Sequence, residues 1–303
     1  MAEPEKLTIT SSDQHRFGAT LHPTDDPRAP LLVFLSAMGA PSRVYGRLAR
    51  ELVRHGVQVC TPDWRGVDSS SMRASRSCDY GYLHLVEHDL PAVIATLRER
   101  FPETPVWLGG HSLGGQLSLL GAAANPAGVA GIVLVASGSV HLPCYSRKYR
   151  LHVRSLVLMS RIASAALGYF PGGRIGFAGR EASGVMRDWS HVALTGEYRL
   201  RGSAFNYEQA LRKLKIPVLA LNFRSDLWSP ISATRALLSK LPGSSPVHWH
   251  WGKAEAGGVE FDHFSWTKQP ALIATAVARH IRRTAAVGST APDLSSALCT
   301  PNA

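Results

Sequence analysis

The chain has little cysteine. Four residues, Cys60, Cys78, Cys144 and Cys299, are scattered through 303 positions with neither metal-ligand nor disulfide spacing. Free thiols in a reducing compartment are therefore expected. Long apolar runs are missing as well: nothing approaches the roughly eighteen consecutive apolar residues that a transmembrane helix needs. The stretch Met1-Ala2-Glu3-Pro4-Glu5-Lys6 has no basic region followed by an apolar core, so no signal peptide is expected. A cytoplasmic protein without a transmembrane segment follows as the expectation. Acidic residues are few, 22 against 33 Lys and Arg, for a formal net charge of +11. That excess could attract nucleic acid, anionic lipid or an acidic carrier protein. No nucleic-acid module is legible, however, and the aromatics are not interleaved with a basic patch, so nucleic acid is not an expected partner. Phosphate-binding signatures are also lacking, because Gly109-Gly110 to Gly114-Gly115 has no Lys-Ser/Thr ending and no dinucleotide fingerprint occurs. The pairs His84/His88 and His248/His250 have no third ligand at a suggestive spacing. Neither a metal nor another cofactor is expected.

What is present is a nucleophile pattern. Gly110-His111-Ser112-Leu113-Gly114 follows the apolar run Val106-Trp107-Leu108 and precedes the helix-compatible run Gln116 to Ala124. A serine between glycines at a strand-to-helix turn is held in strained backbone angles with its hydroxyl exposed above the sheet. The flanking glycines let neighbouring segments pass close by. Such a serine needs a histidine base and an acid, in the chain order Ser, Asp/Glu, His. Ile216 to Asn222 reads as a buried strand running into Arg224-Ser225-Asp226, with a helix from Ser232. Asp226 thus lies just beyond a strand's C-terminal end, where open α/β sheets place their sites. A second strand, Pro246 to Trp251, leads through a glycine-containing loop to Asp262-His263-Phe264 and a last helix from Gln269 to Arg283. Ser112, Asp226 and His263 are the expected triad. Glu260 and Asp262 stand nearer His263, but side chains on one short loop rarely align for that hydrogen bond.

With these residues the chain resembles the α/β-hydrolase superfamily, in the branch related to serine aminopeptidase-like and monoacylglycerol lipase-like enzymes. The resemblance covers about residues 6 to 283. It includes the central strand Leu31-Leu32-Val33-Phe34-Leu35, the loop Ala37-Met38-Gly39-Ala40-Pro41 and the turn Asp63-Trp64-Arg65-Gly66. Leu35-Ser36 replaces the family's His-Gly, and Asp68 stands where a second glycine is common. The resemblance implies an oxyanion hole made by the backbone N–H of Leu113 and, by alignment with the family pattern, of Ala37. It also implies a cap after the sixth strand.

The fold class expected is α/β: a mostly parallel central sheet flanked by helices, with βαβ alternation throughout. Lys6–Thr10 and Phe17–His22 read as an opening antiparallel pair. Pro41–Arg54 and His84–Arg100 read as amphipathic helices, with Val57–Thr61 and Gly131–Ala136 as further strands. The expected organisation is a core over 1–140, a helical cap over 141–212, a second core part over 213–283 and a disordered tail over 284–303. Within the cap, Arg150 to Phe170 reads as a helix. Arg150, Arg154, Arg161 and Ser164 fall along one stripe, and Leu151, Leu158, Ile162, Ala165 and Tyr169 fill the other faces. The stripe reads as a solvated basic face or, alternatively, as a lid or acceptor surface for an apolar or acidic ligand. Met38, His111, Tyr145, Tyr149 and Trp189 are candidate substrate contacts.

The chemistry expected is acyl transfer through an acyl-enzyme on Ser112. With water as acceptor the chain is a hydrolase of a carboxylic ester or thioester. With an amine or alcohol it is an acyltransferase or cyclase, and with turnover lost it is a binding protein on the same fold. The expected partners are a small-molecule ester or thioester and, through Arg147, Lys148, Arg150 and Arg154, an acidic acyl-carrier protein.

Overall fold

The opening pair forms as β1 (Glu5–Thr10) and β2 (Arg16–His22), antiparallel, with Leu7 opposite Ala19. The computed structural model describes residues 3–289. The strand β3 (Leu31–Leu35) leads through a 3₁₀ turn at Ser42–Tyr45 into α1 (Gly46–Arg54). Next come β4 (Gln58–Pro62), a π-helical stretch at His84–Asp89, and α2 (Leu90–Arg100). The elbow is made by β5 (Val106–His111) and α3 (Leu113–Ala124), and β6 (Gly131–Val135) follows. A long insertion then holds α4 (Arg147–Leu167), β7 (Tyr169–Pro171), β8 (Arg180–Ala182), α5 (Ser183–Thr195) and α6 (Tyr207–Lys213). The core resumes with β9 (Val218–Phe223), α7 (Ile231–Leu238), β10 (Val247–Trp251) and α8 (Ala271–Ser289).

One eight-stranded sheet in the order β1-β2-β4-β3-β5-β6-β9-β10 carries the fold. Only the β1–β2 and β2–β4 pairings are antiparallel. The two-residue period of β3 divides the core. Leu32 and Phe34 face the layer containing α1 and α8, whereas Leu31, Val33 and Leu35 face the layer containing α2 and α3. Each such buried side chain contributes about 1.5–3 kcal/mol. Strand order reverses between β3 and β5, which pair in parallel with Leu35 opposite Gly110. The crevice beyond their C-terminal ends is where this sheet type binds ligands.

The insertion differs from its sequence reading in three respects. First, it is not wholly helical: Tyr169 and Phe170 belong to a small antiparallel pair, with Tyr169 opposite Ala182. Strands this short carry too few residues for a period-2 signal. Second, α4 buries Val153, Leu156, Val157 and Ser160, while Leu151, Leu158 and Ile162 are 60% exposed or more. Its outer face is an apolar stripe edged by exposed arginines, Arg154 and Arg161, in place of a wholly basic one. Third, Arg150 donates to the carbonyls of Leu142 and Tyr145 at 3.0 and 3.1 Å, pinning the turn before α4. Ser146 Oγ caps α4 by accepting from Tyr149 N, and Gly168 ends it at φ +80°. At the other end of the chain, α8 continues through Thr284 to Ser289, so the expected tail begins in helix. The remainder of that tail, with Cys299, lies outside the described residues. No helix among the described residues is long and apolar enough to cross a membrane.

The insertion is fastened to the loop between β4 and the π-helical stretch. Arg180 Nε donates to Ala74 O at 2.6 Å, Gly184 N to Asp79 Oδ1 at 2.6 Å, and Tyr82 N to Asp188 Oδ2 at 2.7 Å. Two carboxyls are buried along this seam. Burial pushes Glu181 up to about 7 and Asp188 up to about 6, in each case against backbone N–H donors that favour the charged form. A raised carboxyl contributes stability that is complete below its ordinary range and is lost as pH rises through the folded value. Histidines held low by burial, such as His111 and His280, contribute with the opposite sign over the same range. The expected result is therefore relative: between pH 5 and pH 8 the wild type should lose unfolding temperature against Glu181→Gln. A pH dependence identical in the two proteins would remove Glu181 as a source.

Candidate active site

Ser112 sits at the turn between β5 and α3 with φ 54° and ψ −118°, a sparsely populated conformation for a residue with a Cβ. The surrounding loops hold it there. A Cβ at Gly114 would run into the backbone of Leu35 and Ser36, and one at Gly110 into Gly114 itself. Glycine at these two positions is what lets β3 pass beside the turn. The Ser112 hydroxyl then meets His263 Nε2 at 3.0 Å. His263 Nδ1 in turn lies 2.8 Å from Asp226 Oδ2.

Each partner is held from behind. Asp226 is 1% exposed, and its other oxygen accepts from Trp228 N at 2.8 Å and Ser229 N at 2.9 Å. Trp266 Nε1 donates to His263 O at 3.0 Å and fixes the loop that bears the imidazole. The two nearer carboxylates are engaged elsewhere. Asp262 Oδ1 accepts from Phe264 N and Ser265 N at 2.9 and 2.7 Å, and Glu260 bonds Ser225 Oγ.

The chain matches the family described as "Serine aminopeptidase, S33" over residues 26–194. Monoglyceride lipase of Rattus norvegicus is 30% identical to it, over 77% of each chain. The chain belongs to the serine aminopeptidase S33 family. It is an α/β-hydrolase of the monoacylglycerol lipase-like branch. Solved structures agree on the fold. A structure of DcsB with its substrate analogue has a TM-score of 0.67 at 15% identity, over 93% of this chain and 99% of that one. Est1E from Butyrivibrio proteoclasticus, with ferulic acid bound, has a TM-score of 0.64 at 15% identity, over 92% and 100%.

In this S33 family member a cavity of about 90 Å³ opens at Ser112 and His263, well below the several hundred Å³ of an ordinary ligand pocket. Ala37, Met38 and Leu113 line it from the core, and Phe177 and Trp189 from the insertion. Of the candidate contacts, Met38 and Trp189 reach the cavity. The other three lie elsewhere. Tyr145 is buried and donates to Trp228 O at 3.0 Å, and Tyr149 packs its ring against Tyr145 and Trp228. Both therefore back the cavity wall. His111 is fully buried, its Nδ1 2.9 Å from Tyr45 Oη and its ring against Phe264 and Trp266. Burial holds its pKa well below the ordinary histidine range, so it is neutral.

The assignment of Ala37 to the oxyanion hole also changes. Its N–H donates to Tyr45 Oη at 3.0 Å and is already paired. Met38 is the next residue. Among the described residues the N–H groups of Met38 and Leu113 find no acceptor, and both residues line the cavity. Tyr45 thus holds the β3 loop and His111 together from beneath. Tyr45→Phe should leave the buried Ala37 N–H unsatisfied and cost about 1–3 kcal/mol of folding stability. Urea unfolding measures this, and a loss below half a kcal/mol, by order of magnitude, would contradict it.

A further lining residue, Gln116, carried no signal in the sequence. It reads there as the start of a helix, and its side chain becomes informative only once α3 is seen buried on all faces.

Proposed function

We propose that this α/β-hydrolase cleaves a carboxylic ester, or the corresponding thioester, through an acyl-enzyme on Ser112. The observation that carries the reading is the continuous Ser112–His263–Asp226 hydrogen-bond chain at 3.0 and 2.8 Å, at the mouth of the cavity. Asp226 holds the proton of His263 on Nδ1, which leaves Nε2 as the acceptor. His263 takes the Ser112 proton as Oγ adds to the substrate carbonyl carbon. The resulting oxyanion is received by the N–H groups of Leu113 and Met38. Collapse of the tetrahedral intermediate breaks the bond to the alcohol or thiol, which leaves with the proton held on His263 Nε2. Water then adds to the acyl-enzyme, gives its proton to His263, and the acid departs as that proton returns to Ser112.

The monoglyceride lipase relative supports an ester of a small alcohol as substrate. The small cavity and its aromatic walls, Phe177, Trp189, Trp228 and Phe264, favour a short or flat acyl group. The test is labelling with a fluorophosphonate probe, read by intact mass and peptide mapping. A single adduct on Ser112 supports the reading. A folded protein that takes up no probe would put a non-catalytic binding role in its place.

A further inference from the structure

The cavity has one amide side chain, Gln116, outside the hydrogen-bond chain just described. Gln116 stands one helical turn after Ser112, the residue that precedes α3, its N–H directed to the Ser112 carbonyl at 3.4 Å, and both residues line the cavity. Gln116 is 2% exposed. A buried primary amide needs partners for two N–H groups and a carbonyl oxygen. The carbonyl is accounted for: Tyr198 Oη donates to Gln116 Oε1 at 2.8 Å. Tyr198 is itself fixed. Its N–H donates to Glu208 Oε1 at 2.8 Å, Lys240 Nζ reaches both Glu208 oxygens at 2.8 Å, and the same ammonium stands 5.5 Å from the tyrosine ring. Burial holds the Tyr198 hydroxyl far above its ordinary range, so it stays a donor. With Oε1 committed to that donor, the orientation of the amide is decided and Nε2 is turned away from Tyr198. Among the described residues Nε2 finds no acceptor, and it is not one of the nitrogens sealed inside protein. A locked N–H donor therefore faces the cavity beside the nucleophile, among walls that include the indoles of Trp189 and Trp228.

We infer that Gln116 is a specificity-determining residue whose Nε2–H receives an acceptor oxygen, carbonyl or ether, borne on the acyl chain of the substrate a few bonds from the scissile carbonyl. The inference rests on the ester-hydrolase reading above. The acyl side is indicated because Gln116 belongs to the nucleophile's own helix and so lies beside the group that stays bonded to Ser112. A site built around a buried donor discriminates against a chain that leaves it unpaired, here by roughly ten- to hundred-fold. Oxo- or alkoxy-acyl esters are the substrate class this selects over plain alkanoyl esters of the same length.

The experiment compares p-nitrophenyl valerate with p-nitrophenyl levulinate and the methoxypropanoate ester, chains of matched length with and without the oxygen. The readout is the oxygenated-to-valerate ratio of kcat/KM in the wild type divided by the same ratio in Gln116→Leu. That quotient cancels the intrinsic reactivity of each ester and any general loss of fold. A quotient of about ten to a hundred is expected for at least one oxygenated ester. Tyr198→Phe, which keeps the side chain's shape but frees the amide to turn, should lower the wild-type ratio several-fold. A quotient near one, with valerate turned over, would mean that solvent serves the amide, and would overturn this inference alone. No turnover of any ester by folded wild type would overturn the hydrolase reading and this inference with it.

Discussion

Ser112→Ala is expected to abolish fluorophosphonate labelling and to lower kcat for any accepted ester by a factor on the order of 10⁶. The size follows from the geometry. Ser112 Oγ is the atom 3.0 Å from His263 Nε2, and removing it leaves the imidazole with nothing to deprotonate except water. The remaining acceleration would come from the two free N–H groups and from binding alone. Alanine keeps the Cβ at φ 54°, so the strained turn persists and the fold should be retained by circular dichroism. Turnover within a hundredfold of wild type would mean that a different group carries the chemistry.

Asp226→Asn should cost on the order of 10⁴ in kcat with little change in KM. The substitution preserves shape and leaves an oxygen able to accept from Trp228 N and Ser229 N, bonds of 2.8 and 2.9 Å in the wild type. The new NH₂ group would then face His263 Nδ1, where a carboxylate oxygen now lies at 2.8 Å. Facing a donor, Nδ1 must become the acceptor and the ring proton must move to Nε2. The nitrogen beside Ser112 would then hold a proton at the moment it needs to take one. Steady-state kinetics on an accepted ester measures the loss. A decrease of less than tenfold would show that Asp226 only closes its own turn.

The residues that were legible in the sequence are those whose role follows from local order. The elbow glycines, the strand before Asp226 and the loop before His263 each announce themselves within a few positions, and their chain order ties them together. What escaped depends on contacts that close over longer distances. The family pattern points to Ala37, but Tyr45, eight positions later, reaches back and takes its N–H. An amphipathic pattern on α4 marks two faces without saying which is covered; the neighbouring α5 decides that, and it left Leu151, Leu158 and Ile162 outside. Gln116 is the plainest case. A lone amide in an apolar helix reads as a helix start until Tyr198, far along the chain, is found holding one end of it.

The hydrogen-bond chain at the cavity joins residues 151 and 37 positions apart in sequence, supplied by the loops after β5, β9 and β10. Contacts of that separation are expected to form late in folding, because the loops they close cost entropy before any contact rewards them. The elbow is complete once β3, β5 and α3 have assembled, but the acid and base arrive only when β9, β10 and α8 have joined the sheet. A nascent chain or a collapsed intermediate with a finished elbow would thus have no activated serine. On the proposed function, reactivity would appear only with the last part of the chain, and a fluorophosphonate pulse during refolding would time the docking of that final segment rather than the formation of the core.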